Sequence, residues 1–263
     1  MQRATSPHPS SLLASCAVAA VLALAAPARG APAASAPVDT SHVHLGSVDA
    51  GTGAFVAWPA GKGAAPAVIV IHEWWGLNGQ IREVARRLAR QGYVAIVPDL
   101  YHGKVADDPE LAHTLSRGLD EDLAVADLDE ALLWLRAERR TAKSKAGVVG
   151  FCMGGRLSEL LALHQPGMAA AVMFYGRPEA NPQKLLGLRV PLQGHFGAED
   201  QGITPETVAA FRTALKSAGK NAEIFVYTGA GHAFMNDTRP SYHAEAARQA
   251  WPRTLAFFQK HLR

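Results

Sequence analysis

The sequence predicts an α/β domain built on an open, mostly parallel sheet with helices on both faces. Short β-branched runs alternate with amphipathic stretches along almost the whole chain. Several of those runs are apolar at every position, as in strands buried on both sides of a parallel sheet. Once an N-terminal leader is set aside, roughly 230 residues remain, which suits one domain with a full core.

The elements follow in order. Residues 40–48 and 53–58 read as strands joined by a tight turn at Asp49-Ala50-Gly51, and 67–71 is a continuous Val/Ile run. Asn78 is placed to cap a helix reaching Arg90, with Ile81, Val84, Ala85 and Leu88 at helical spacing. Gly92 ends it, and 93–97 is the next buried strand. An excursion from Tyr101 to Leu119 precedes an acid-started helix from Asp120 to about Glu138. Residues 146–150 form a strand and 156–164 the helix behind it, while 169–175 and 190–196 are further strands. Thr204-Pro205 opens a helix in cap-then-proline order. Residues 223–227 make the last strand and 242–261 the last helix.

Residues 1–36 read as a signal peptide and flexible Ala/Pro leader, and 37–263 as the domain. Arg3 lies in a polar opening, an Ala/Leu/Val-rich core runs from about Leu12 to Ala26, and small residues follow. The core is too short and alanine-rich for a membrane anchor. The expectation is therefore an exported protein, periplasmic or secreted, without stable membrane insertion. Removing Arg3 and Arg29 with the leader leaves 24 cations against 23 anions. That near-neutral balance, with no basic stripe, gives no reason to expect nucleic acid as a partner. A small-molecule substrate and a monomer are expected instead. Of the two cysteines, Cys16 leaves with the leader, so Cys152 is the sole thiol of the mature chain and forms no internal disulfide.

Cys152 sits in Gly150-Phe151-Cys152-Met153-Gly154-Gly155, between a β-branched strand and a helical pattern. The segment fits the strand–turn–helix elbow G-x-nucleophile-x-G, with cysteine where serine is usual. Glycines are needed there because the turn is strained and brings strand and helix close together. The turn aims the Met153 N–H at the same point as the sulfur. Taken alone, the cysteine reads equally as a small buried hydrophobe. A phosphate loop would need G-x-G-x-x-G or G-K-[ST], and neither is present.

Sites in such sheets lie outside the carboxyl ends of the strands. Cys152, Asp200 and His232 each follow a strand, in the chain order nucleophile, acid, histidine. His232 would take a proton from the thiol and return it to a leaving group, and Asp200 would orient the imidazole. Asp99, after an earlier strand, is a rival orienting acid. His72-Glu73-Trp74-Trp75-Gly76 ends the third strand, where the Trp74 N–H is the candidate second oxyanion donor. Glu73 beside a thiol pocket needs a partner, either solvent or a nearby arginine. Trp75, Tyr101, Lys104 and Phe234 are the candidate substrate-binding residues, and at least one of Trp74 and Trp75 is expected in the pocket wall rather than the core. His42-x-His44 lacks Cys or Asp partners and is poor evidence for zinc. A non-catalytic or thiol-redox binding protein is the alternative, but redox work ordinarily needs a resolving cysteine.

The His-Glu-Trp-Trp-Gly segment, Pro98-Asp99-Leu100-Tyr101, the cysteine elbow, Gly197-Ala198-Glu199-Asp200 and Ala230-Gly231-His232-Ala233-Phe234 together resemble the dienelactone hydrolase family, from about residue 40 to 263. The resemblance implies an α/β-hydrolase fold without a large cap, a hydrolase of small carboxylic esters or lactones, a Cys152–His232–Asp200 triad with an acyl-enzyme, and no metal or organic cofactor. It also implies that Glu73 engages the resting thiol until substrate binds. Members that cleave dienelactone carry arginines where this chain has Gly103 and Asn236, and a hydroxyl residue is common where it has Ala233. Lys104, Arg156, Arg177 and Arg239 are the cations left as candidates to bind a substrate carboxylate.

Overall fold

Strand propensity and burial divide this chain into a central sheet with a helical layer on each face. The computed structural model describes residues 1–2, 38–46, 52–61, 63–141 and 145–263. The expected signal and leader, apart from Met1 and Gln2, lie outside the described residues, as does the turn expected at 49–51. Among the described residues the strands are β1 (Asp39–His44), β2 (Gly53–Trp58), β3 (Ala67–Ile71), β4 (Val94–Pro98), β5 (Ala146–Phe151), β6 (Ala170–Phe174), β7 (Leu192–Gly197) and β8 (Ala222–Tyr227). Their spatial order is β1-β2-β4-β3-β5-β6-β7-β8. β1 pairs antiparallel with β2 and β2 with β4, while every other pairing is parallel.

Alternation along the strands sorts the core into two layers. Ala67, Ile69 and Ile71 of β3 face a core shared with α3 (Glu121–Ala137), α4 (Met153–His164) and α6 (Pro205–Ser217). Val68 and Val70 face the opposite core, with Ile81, Val84 and Leu88 of α1 (Gly79–Arg90) and Ala250, Trp251 and Phe258 of α7 (Ala244–Leu262). A period-2 strand inside two period-3.6 layers produces this division. The Asn78 side chain accepts the Ile81 N–H at 3.2 Å, and Thr204 accepts that of Thr207, so both expected caps are formed.

The excursion 101–119 contains a helix that the sequence reading passed over, α2 (Pro109–Arg117). Asp108 Oδ1 caps it by accepting the N–H groups of Glu110 and Leu111 at 2.8 and 2.9 Å. Its apolar side joins neither main core; Ala112 and Leu115 pack with Trp74, Trp75 and Ala106 in a separate small cluster. A four-residue helix, α5 (Pro182–Leu185), was likewise not anticipated. Among the described residues no helix is long and apolar enough to cross a membrane.

Candidate active site

The sulfur-bearing turn is built from steric necessity. Cys152 has φ +55° and ψ −117°, a conformation side-chain-bearing residues rarely adopt. A Cβ on Gly150 would overlap the Gly154 carbonyl oxygen, and one on Gly154 would stand 2.6 Å from the carbonyl oxygens of Ile71 and His72. The Cys152 N–H donates to Phe174 O at 3.0 Å, and its own carbonyl accepts from Gly155 and starts α4. The chain therefore leaves β5, turns within one residue, and enters the helix.

Two loops bring the partners of that sulfur to it. His232 Nε2 lies 3.2 Å from Cys152 Sγ, and His232 Nδ1 lies 2.7 Å from Asp200 Oδ2. Asp200 is buried, and its other oxygen accepts the N–H groups of Gly202 and Ile203 at 2.8 and 2.9 Å. Burial pushes the Asp200 carboxyl up, but its bonds to His232, Ile203 and Gly202 outweigh this and hold it below the usual carboxylate value. Burial likewise pulls His232 down, while its hydrogen bonds to Asp200 and Cys152 push it up to about 10. With Asp200 as acceptor, the proton on Nδ1 is the one the aspartate fixes. Asp99 is spoken for elsewhere: it accepts the N–H groups of Tyr101 and Gly103 at 3.3 and 2.7 Å.

Glu73 is neither a solvated loop acid nor an arginine partner. It is buried, with Oε1 accepting the Tyr175 hydroxyl at 2.9 Å and Oε2 accepting the Asn236 amide nitrogen at 2.6 Å. Burial raises its carboxyl above the ordinary value, and the two hydrogen bonds offset part of that rise. Asn236 Oδ1 is occupied by the N–H and hydroxyl of Thr238 at 3.1 and 2.7 Å, so its NH2 must face Glu73. Tyr175 is fully buried with φ +39°, and its ring meets the His232 ring edge-on at 5.1 Å. The sequence reading noted Asn236 only as an absent arginine and did not single out Tyr175. Its place just beyond the carboxyl end of β6 was the available signal.

These groups share a cavity of about 370 Å³ lined by Glu73, Trp74, Trp75, Cys152, His232, Ala233, Arg239 and Ser241. Trp74 and Trp75 both line it. The other three candidate substrate-binding residues do not line it. Phe234 is fully buried in the core against Tyr175, Phe174 and Tyr227, because the strand-to-loop turn points it inward. Lys104 is exposed and borders a separate depression beside α2. Tyr101 lies in that depression too, buried, its hydroxyl 3.4 Å from Met153 Sδ. Of the cations considered, Arg239 alone borders the cavity, its guanidinium carbon 3.6 Å above the Trp75 ring. Arg156 is held by Glu121, Glu159 and Glu179. Among the described residues the Trp74 and Met153 N–H groups have no protein acceptor. No cluster of His, Cys, Asp or Glu there is arranged to hold a metal.

The family model described as "Dienelactone hydrolase family" matches residues 52–262. The chain belongs to the dienelactone hydrolase family. It is a hydrolase of the carboxylic ester and lactone type. A Yersinia pestis sequence named "Putative carboxymethylenebutenolidase" is 38% identical over 223 residues, 79% of this chain and 83% of that one. The crystal structure of a "Putative Dienelactone Hydrolase" from Klebsiella pneumoniae superposes with a TM-score of 0.79 at 34% identity, covering 86% of this chain and all of the other. The "Dienelactone Hydrolase-like Promiscuous Phospotriesterase P91" from metagenomic libraries follows at TM-score 0.76 and 25% identity, covering 86% and 99%.

This dienelactone hydrolase family member departs from the expectation for its glutamate. Glu73 was expected on the resting thiol; the thiol instead rests on His232, and both Glu73 oxygens are bonded elsewhere.

Proposed function

We propose that the chain hydrolyses small carboxylic esters or lactones through Cys152, His232 and Asp200, by way of an acyl-enzyme. The observation that carries this is the unbroken line from buried Asp200 through His232 to the Cys152 sulfur, opening on a cavity lined by two tryptophans. The thiolate is the attacking form of a cysteine nucleophile, and His232, raised to about 10 by its hydrogen bonds to Asp200 and Cys152, stands against the sulfur as its proton partner. The sulfur attacks the carbonyl carbon, forming a C–S bond while the carbonyl π-electrons move to oxygen. The N–H groups of Met153 and Trp74 are the donors for that oxyanion. Collapse of the intermediate breaks the C–O bond, and His232 gives its proton to the departing alkoxide. In a lactone that alkoxide stays tethered to the acyl chain.

Acylation also changes the histidine. Once the sulfur is a neutral thioester, the Cys152 charge that helped raise His232 is gone, and the imidazole becomes a better base. It then takes a proton from water as the hydroxide adds to the thioester carbonyl. Collapse of that intermediate breaks the C–S bond, and the sulfur leaves with the bond electrons beside the protonated imidazole as the acid product departs. Asp200 holds the tautomer throughout. Hydrolysis of an activated short-chain ester by wild type and by Cys152→Ala tests the reading: loss of turnover to the rate in buffer supports it, and equal rates sink it.

The leader-like composition of residues 1–36 supports export of the domain before it acts. Fractionation of expressing cells with N-terminal sequencing tests this; protein confined to the cytoplasm with Met1 intact would count against export.

A further inference from the structure

Glu73 shares a cavity with Cys152 and His232, yet the hydrogen bonds of its two oxygens go to Tyr175 and Asn236. A free carboxylate at that spot would compete with His232 for the thiol proton and, as a like charge, disfavour the thiolate. Something must keep it away. Each of its oxygens accepts one donor, and the two donors come from different segments, Tyr175 beyond β6 and Asn236 in the loop beyond β8. Neither donor is free to follow the carboxylate. The Asn236 amide is locked by Thr238 on its oxygen, and the Asn236 N–H donates to Ala233 O at 3.0 Å. The Tyr175 ring is enclosed by Phe151, Phe174 and Phe234, and its N–H donates to His195 O at 2.8 Å.

We propose that Asn236 and Tyr175 are positioning residues that hold the Glu73 carboxylate off the Cys152 sulfur, so that the thiol rests on His232 before any substrate arrives. The site then needs no charge on the substrate to release its nucleophile. The inference rests on the reading of Cys152 as that nucleophile.

Alkylation of Cys152 by iodoacetamide in the full chain, near neutral pH and without substrate, reads the state of the sulfur directly. Asn236→Leu and Tyr175→Phe each remove one donor, and each is expected to slow alkylation by about tenfold or more. Tyr175→Phe deletes only a hydroxyl and reports even where Asn236→Leu fails to fold. In a Glu73→Gln background the same two substitutions are expected to change the rate by less than about twofold, because nothing remains to be held away. An unchanged or faster rate in folded Tyr175→Phe would overturn the proposal. So would slowing of the same size in the Glu73→Gln background, which would mark general loosening of the site. Ester hydrolysis measured on the same proteins separates the two readings. A chain whose alkylation follows this pattern but which cleaves no ester would lose its proposed function and keep its positioned glutamate.

Discussion

His232 Nε2 stands 3.2 Å from the Cys152 sulfur, although the two residues are 80 positions apart and arrive on separate loops. The elbow after β5 sets one end of that relationship, and the turn after β8, tied by the Glu199 N–H to Ala230 O at 2.9 Å, sets the other. Asp200 follows Glu199 on that same turn, so main-chain contacts bring the three residues together and the Asp200–His232 hydrogen bond then orients the imidazole.

Asp200→Asn keeps the shape of the side chain and removes the charge that orients the imidazole. The expected result is a fall in kcat on the order of 10³–10⁴-fold with KM little changed, measured by steady-state ester hydrolysis. A loss under about tenfold would assign the orienting role elsewhere.

The His232 shift has a thermodynamic signature. Its native value is raised to about 10 from an ordinary 6.5, so its stabilising contribution is complete below 6.5 and is lost as pH rises through about 10. Melting temperature is expected to decline over that alkaline window, with a smaller decline in His232→Gln. Asp200 is lowered, so its contribution is present above the ordinary carboxylate value and is lost on acidification through the depressed native value. An identical alkaline slope in wild type and His232→Gln would show that the imidazole is not held protonated.

Gly150→Ala places a methyl group on the Gly154 carbonyl oxygen, which is backbone and cannot swing aside. Destabilisation of about 3 kcal/mol or more is expected by urea denaturation, or failure to fold at all.

Phe234 and Trp75 separate core from wall. Phe234→Leu is expected to lower stability by about 1–3 kcal/mol with KM unaffected. Trp75→Phe is expected to raise KM several-fold with a smaller stability loss, since the tryptophan borders the cavity and carries Arg239 on its face. Denaturation and kinetics on both proteins check the contrast.

Much of this was legible in the residues. The strand runs, the caps at Asn78 and Thr204, and the positions of Cys152, Asp200 and His232 beyond strand ends all follow from local periodicity and the rule for open α/β sheets. What was not legible depended on side-chain direction. Phe234 and Lys104 lie in segments next to the cavity, but one points into the core and the other to solvent, and spacing along a loop carries no such information. The α2 helix was hidden because its nine residues bury only Ala112, with Leu115 partly buried beside it, against a small satellite cluster, although Asp108-Pro109-Glu110 did spell a helix start. Glu73 was visible as an oddity. Its partners were not, because Tyr175 and Asn236 are 102 and 163 positions away.

The proposed mechanism requires that Cys152 become acylated during turnover. Rapid acid quench of the wild-type protein with an activated ester, followed by mass spectrometry of its peptides, tests this most directly. The expected result is a transient acyl adduct on the peptide bearing Cys152, absent from the corresponding peptide of Cys152→Ala. Steady hydrolysis with no adduct at Cys152, or with an adduct on another side chain, would contradict the account.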